Sequence, residues 1–409
     1  MNLVVIGAQW GDEGKGKIVD FLAEDSELIS RFSGGANAGH TIVTGETTYK
    51  LHLIPSGIIY PGKKVILGTG MVIDPQSMFE ELATLTEQGI DWEGRVFISD
   101  RAHLVLPDYK AEDIELEKKR FNPIGTTGRG IGVTYAHKSH RDGIRIADMY
   151  DSNIWSRMPE SYRTFLEPFK ARIEKMKINL VAFMAEYKGK KVLFEGAQGI
   201  LLDLDAGTYP FVSSGYSVAA GASVGGGIGP REIDRVLGVF KAYSTRVGNG
   251  PFPSEFNSER DGATEEMVRE LGREYGVTTG RARRCGYLDL VALKYACRVN
   301  SIDSLVLTHI DVYDDFDEVS VCVAYEYEGE TITDFPSSIE VMDGAVPVIK
   351  TFKGWNSSLK ESTDYSHLPE EAQKYIEFIE EYTETSVDII SVGYRRSETF
   401  IRKDLWTRS

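Results

Sequence analysis

Leu3-Val-Val-Ile-Gly-Ala-Gln-Trp-Gly-Asp-Glu-Gly-Lys-Gly-Lys17 is the stretch on which the fold turns. Its first four residues are an apolar, mostly β-branched run that stops at Gly7, the pattern of a buried parallel strand entering a loop. From Lys17 the chain continues Ile-Val-Asp-Phe-Leu-Ala-Glu24, with apolar residues at helical spacing. A glycine loop between such a strand and such a helix collects backbone N–H groups at a helix N-terminus, where they and the helix dipole hold phosphate. Gly11 to Lys17 fits G-x-x-x-x-G-K, yet Ile18 follows where a phosphate loop of the usual kind has Ser or Thr to hold Mg²⁺. Asp12, inside the loop, is the candidate to replace that ligand and to face whatever the terminal phosphate reacts with.

Similar buried runs recur at Lys64 to Leu67, Lys191 to Phe194, Ser304 to Leu307 and Asp388 to Ser391, with helical segments such as Pro75 to Leu85 and Glu370 to Tyr382 between them. Strands alternating with helices predict an α/β fold around a large, mainly parallel sheet. Residues 147–188 read as two or more helices, including the amphipathic run 160–188, and are expected to form a helical lobe beside the sheet. Val319 to Thr333 alternates in the manner of an antiparallel hairpin. With no repeat, low-complexity tract or linker, residues 1–409 are expected to form one composite domain.

The chain carries 46 Lys and Arg against 62 Asp and Glu, a formal charge of −16, which makes nucleic acid a poor partner while leaving room for local anion pockets. Cys285, Cys297 and Cys322 lack C-x-x-C spacing and read as free, packed thiols. No apolar stretch approaches the roughly 18 residues of a membrane span, and the N-terminus lacks a signal-peptide layout, so the expectation is a cytoplasmic enzyme with no membrane partner.

The loop Gly7 to Lys17 closely resembles the signature of the adenylosuccinate synthetase family. The resemblance continues through Gly34-Gly-Ala-Asn-Ala-Gly-His-Thr41, His52-Leu-Ile-Pro-Ser-Gly57, Ile124-Gly-Thr-Thr-Gly-Arg-Gly-Ile-Gly132, Phe194-Glu-Gly-Ala-Gln-Gly199, Lys241-Ala-Tyr-Ser-Thr-Arg-Val-Gly248, Gly250-Pro-Phe-Pro253 and Thr278-Thr-Gly-Arg281. It implies a ligase that joins L-aspartate to C6 of a purine nucleoside monophosphate through a 6-phosphoryl intermediate: IMP, L-aspartate and GTP give adenylosuccinate, GDP and phosphate.

By the same resemblance Asp12 removes the N1 proton, His40 donates to a phosphate oxygen, Lys15 stabilises charge, and Mg²⁺ is held by Asp12 and Gly39. The triphosphate falls to Gly11, Glu13, Gly14, Lys15, Gly16, Lys17, Gly39, Thr41 and Arg283, and its base to His309, Asp311, Ser391 and Gly393. The monophosphate falls to Asn37, Thr127, Gln198, Ser213, Val247, Arg281 and Arg141, the last reaching across a homodimer with shared active sites. Aspartate falls to Thr278, Thr279, Gly280 and Arg281. The remaining histidines read as structural.

Several positions depart from the family pattern. His309 replaces a lysine on the guanine side, and Tyr394 replaces the proline after the Ser-x-Gly turn. Ser213-Ser-Gly-Tyr216 and Val133-Thr-Tyr-Ala-His137 also differ. The pattern leaves open GTP or ATP as donor, and IMP or dGMP/GMP as acceptor, since a viral branch makes a 2-amino-adenine precursor from dGMP. The retained Asp12 favours IMP.

Overall fold

The computed structural model describes residues 1–44, 47–275 and 282–407, with the backbone alone at residues 40 and 44. The first strand, β1 (Asn2–Gly7), lies inside a ten-stranded sheet. From one edge to the other the order is Thr399–Ile401, Val387–Ser391, Ser304–Thr308, Arg235–Lys241, β1, Val192–Gly199, Leu28–Arg31, Lys64–Leu67, Val96–Ser99 and Lys177–Ile178. Every neighbouring pair is parallel except the edge strand Thr399–Ile401, which runs antiparallel.

Side chains that alternate along a strand feed two cores. Val4 and Ile6 enter one, and Leu3 and Val5 the other; Phe194 and Leu193 divide in the same way. A sheet covered on both faces needs apolar residues at every position, which is why the runs read from sequence are continuous rather than alternating.

The parallel arrangement also brings the carboxyl ends of the strands to one edge, where open α/β sheets bind ligands. The phosphate loop leaves the sheet there, as do Gln198, Lys241, Thr308 and Ser391.

The expected strand at Lys191 to Phe194 runs instead over Val192–Gly199. Its second half, Glu195-Gly-Ala-Gln-Gly199, is polar and small because it borders the site as well as the core, so apolar content did not mark it. The hairpin is present as Glu318–Tyr327 with Glu330–Ile332, and a further strand, Val346–Lys353, pairs along the longer of these. Val346–Lys353 buries little of itself, so it lacks the apolar pattern that would announce it.

In the segment 147–188 the helices Ser152–Arg157, Glu160–Met176 and Leu180–Ala185 appear, and between the last two the strand Lys177–Ile178 completes the sheet's edge. All three cysteines are buried and free. Among the described residues no helix is long and apolar enough to cross a membrane.

Candidate active site

Between β1 and the helix α1 (Lys15–Ala23) the backbone turns through left-handed conformations at Gly11, Asp12 and Gly14, with φ of 89°, 58° and 84°. Asp12 is the one among them that pays a steric cost, since L side chains are disfavoured there. The turn lifts its carboxylate out of the loop to 43% exposure.

Glu13 does the opposite. It is fully buried, and its carboxylate accepts hydrogen bonds from the N–H groups of Gln9 (3.1 Å) and Gly11 (2.9 Å) and from the Lys15 ammonium (2.5 Å). Gly7 must lack a side chain for this to fit, because a Cβ there would lie 2.4 Å from Glu13 Oε2. Two loop N–H groups and Lys15 are thus already engaged by an internal carboxylate.

Behind the loop lies a buried polar network that sequence reading missed. Glu274 accepts from Lys241 Nζ (2.5 Å) and Tyr243 Oη (2.6 Å) at one oxygen and from Arg283 Nη1 (2.8 Å) at the other. Arg283 Nη2 lies 3.1 Å from Asp12 Oδ2, so charges alternate from Lys241 through Glu274 and Arg283 to Asp12. Burial alone would raise the Glu274 carboxyl, but Lys241, then His309, outweigh it and hold it at about 2. Burial, then Lys241, bring His309 down to about 4, leaving a neutral imidazole 3.4 Å from Tyr243 Oη and against Gly14. Lys241 ends an apolar strand at the carboxyl edge of the sheet, and that position was the one available signal.

On the side nominated for the base, Lys17 reaches from α1 to Ser391 Oγ and the Gly393 carbonyl, both at 2.7 Å. Burial pulls its ammonium down to about 8 and raises the nearby Asp311 carboxyl. Tyr394 follows as an exposed ring flanked by the guanidinium groups of Arg273 and Arg395, 5.7 and 5.5 Å from its centroid.

The remaining nominated residues sit mostly on loops. Asn37 Oδ1 is buried with no partner among the described residues, an unmet acceptor of the kind that marks a ligand position. Gly39 follows, backed by the His52 ring, whose Nδ1 lies 3.2 Å from the Ala38 carbonyl. Thr41 lies in the strand His40–Thr44, paired with Thr47–Leu51; the His40 side chain lies outside the described residues.

Thr127 is exposed on a loop tied by Asp113 and Glu117. That loop adjoins Val247 and Gly248, with Asn249 donating to the Pro123 carbonyl at 3.1 Å. Gln198, at φ 65°, lies beside Gly11, and Ser213 Oγ donates to the Leu202 carbonyl at 2.9 Å.

Arg141 stands apart. It caps the exposed far end of the helix Ile131–His140, whose start lies against Ser214, about 15 Å away by helical rise. Thr278, Thr279, Gly280 and Arg281 lie outside the described residues. A separate groove of about 680 Å³, lined by Met1, Leu180, Met184 and Val224, holds none of the nominated side chains.

The family profile for adenylosuccinate synthetase matches residues 4–188 and 157–400. An adenylosuccinate synthetase of Aquifex aeolicus is 48% identical over 100% of this chain and 99% of its own. A fully ligated adenylosuccinate synthetase from Plasmodium falciparum superimposes with a TM-score of 0.91 at 36% identity, covering 98% of this chain and 99% of that one. A cyanophage S-2L succinoaminodeoxyadenylate synthetase, bound to dGMP and dATP, matches with a TM-score of 0.64 at 19% identity, over 98% and 95% of the two chains. That last likeness is one of fold.

Proposed function

The chain belongs to the adenylosuccinate synthetase family of purine-synthesising C–N ligases, and we propose that it takes IMP as acceptor and GTP as donor, with Asp12, His40 and Lys15 as its catalytic groups. The observation that carries this reading is Asp12: an exposed carboxylate held in a left-handed turn at the crest of a phosphate loop, paired with Arg283. A loop that only held phosphate has no use for that strain.

Asp12 accepts the N1 proton of the purine, which sharpens O6 as a nucleophile toward the γ-phosphorus of the donor. The O6–phosphorus bond forms as the bond to the nucleoside diphosphate breaks. The aspartate amine then attacks C6, and inorganic phosphate leaves with O6. Proton transfer of this kind is worth roughly 10²–10⁴-fold, and preorganised donors such as Lys15, Arg283 and the loop N–H groups stabilise the transferring charge, with His40 proposed as a further donor to a phosphate oxygen.

Asp12 and the Gly39 carbonyl offer two oxygen ligands, and among the described residues no group of three or more His, Cys, Asp or Glu could hold a metal. This sparse set suits Mg²⁺, which keeps its waters and takes phosphate oxygens beside one or two carboxylates. When bound there it neutralises phosphate charge. Thr278 to Arg281 would receive aspartate, and Arg141, placed far from the other acceptor residues, would serve a second protomer.

Near-full-length identity with adenylosuccinate synthetases favours IMP over dGMP or GMP, and Asp311 with Ser391 and Gly393 supports GTP over ATP. The test is a panel of IMP, GMP and dGMP, each with aspartate, Mg²⁺ and GTP or ATP, followed by the ultraviolet shift on amination. Product from IMP with GTP is expected; turnover confined to a guanine monophosphate would overturn the acceptor assignment.

A further inference from the structure

Arg246 ends the short strand Ser244–Arg246, which pairs antiparallel with Arg284–Gly286 just beyond the carboxyl edge of the main sheet. Only 1% of its surface is exposed. Nη2 donates to Thr208 Oγ1 and to the Phe211 carbonyl, both at 3.1 Å, and Nη1 donates to the Pro251 carbonyl. The guanidinium also lies 5.5 Å from the ring centroid of Trp10, in the phosphate loop. Nε has no partner among the described residues.

Every one of these partners is neutral. The adjacent Arg284 spends its charge on Glu255, at 2.5 Å. Burying an ion costs several kcal/mol after relaxation, and neutral acceptors offset that less well than a carboxylate does. What a guanidinium offers in exchange is geometry, because its planar fork fixes several acceptors at once. Here those acceptors belong to two separate loops. Residues 208–211 lead directly to Ser213, and Pro251 closes the turn that begins at Val247. Gly250, at φ 109°, is shaped to admit the contact, since a Cβ there would lie 2.4 Å from Arg246 Nη2.

We propose that Arg246 is the positioning residue of the acceptor pocket: its buried guanidinium locks the loop before Ser213 to the loop after Val247, and so sets the site for the phosphate monoester. The inference rests on the reading of Ser213 and Val247 as acceptor contacts. Its charge, hydrogen-bonded to neutral groups, also leaves a positive field for an incoming phosphate dianion. Burial, then Arg284, bring the guanidinium down to about 9, while Asp343 and Glu255 pull it the other way.

The experiment compares Arg246→Met, Arg246→Lys, Thr208→Val and Ser213→Ala in full-length protein, measuring kcat and the KM of each of the three substrates. Thermal melts verify folding, and Thr208→Val, which removes one acceptor and keeps the guanidinium, serves if Arg246→Met does not fold. Arg246→Met is expected to raise acceptor KM about tenfold or more with donor and aspartate KM within about twofold. Arg246→Lys should fall between it and wild type, and Thr208→Val should raise acceptor KM about threefold. Acceptor KM within twofold in every folded variant, or a parallel rise in all three KM values, overturns the proposal. If Ser213→Ala raises acceptor KM while the Arg246 and Thr208 variants do not, the pocket assignment stands and this inference alone falls. If Ser213→Ala has no effect, the assignment falls and the inference with it.

Discussion

The two sides of the cleft are built differently. On the donor side, Glu13, Lys15, Lys241, Glu274 and Arg283 are buried or partly buried and bonded to one another, and Lys17 is already fastened to the Ser391–Gly393 turn. On the acceptor side as proposed, Thr127 and Val247 are exposed on loops, Asn37 presents an unmet acceptor, and the cation that binds the loops together is hydrogen-bonded to neutral groups. In the proposed assignment a polyphosphate therefore meets a preorganised site whose internal pairs it must partly exchange. In the same assignment a monophosphate meets exposed loop residues rather than a bonded network.

The largest effect belongs to the residue where the two sides touch. Asp12→Ala should lower kcat by about 10³-fold or more, equivalent to about 4 kcal/mol of transition-state stabilisation, while leaving the fold intact. A variant that kept more than about a tenth of the wild-type rate would rule Asp12 out as the base.

Next comes the donor-side network. Glu274 and Lys241 are each 1% exposed, so Glu274→Gln strands a buried ammonium. Breaking such a pair costs about 3–5 kcal/mol, which chemical denaturation should register together with a raised donor KM as Arg283 loses its anchor. The sign with pH follows from the same pair. A carboxyl held at about 2 contributes stability above its ordinary value of 4.5, and that contribution is lost as pH falls between the two. Wild type should therefore lose stability below about pH 4.5 in a step that Glu274→Gln lacks. A variant as stable as wild type at neutral pH would mean the network is not the brace of the donor side.

A smaller, reversible effect comes from Lys17. Its folded-state value of about 8 lies below the ordinary 10.5, so the ammonium is lost as pH rises through about 8. The cost of burying the charged form is full below about 8 and relieved toward 10.5, so stability gains with pH while phosphate attraction declines. Donor KM should rise several-fold between about pH 7 and 9, and Lys17→Arg should flatten the rise. A pH-independent donor KM in wild type would remove Lys17 from the phosphate site.

Much of the donor side was legible because it is local. Strand, glycine loop and helix lie within 24 residues, and each part needs only its neighbours to be understood. Glu274 was not legible, since a glutamate near an arginine-rich run looks solvated until Lys241 and Tyr243, more than 30 residues earlier, are packed against it. Arg246 was quoted inside a motif yet went unassigned, because its meaning depends on carbonyl groups, and backbone carbonyls leave no mark in sequence. Glu13 was grouped with the triphosphate ligands, whereas its carboxylate is turned into the loop that carries it. Sequence pattern reports which residues border a site; which of them are spent on one another emerges only after folding.

Val247 gives the smallest and most discriminating effect. It is 62% exposed and contributes little to either core, so Val247→Ala should change stability by no more than about 0.5 kcal/mol. If it lines the acceptor ribose, losing two methyl groups from that contact costs at most about 1.5 kcal/mol. Acceptor KM should then rise between about two- and tenfold, with donor KM flat. The tip of the loop it occupies leans on Pro123 and Ile124, so a change confined to the acceptor is what separately built sides require. A matching rise in donor KM would show that the two loops move as one with the phosphate site, and the division of the cleft would have to be abandoned.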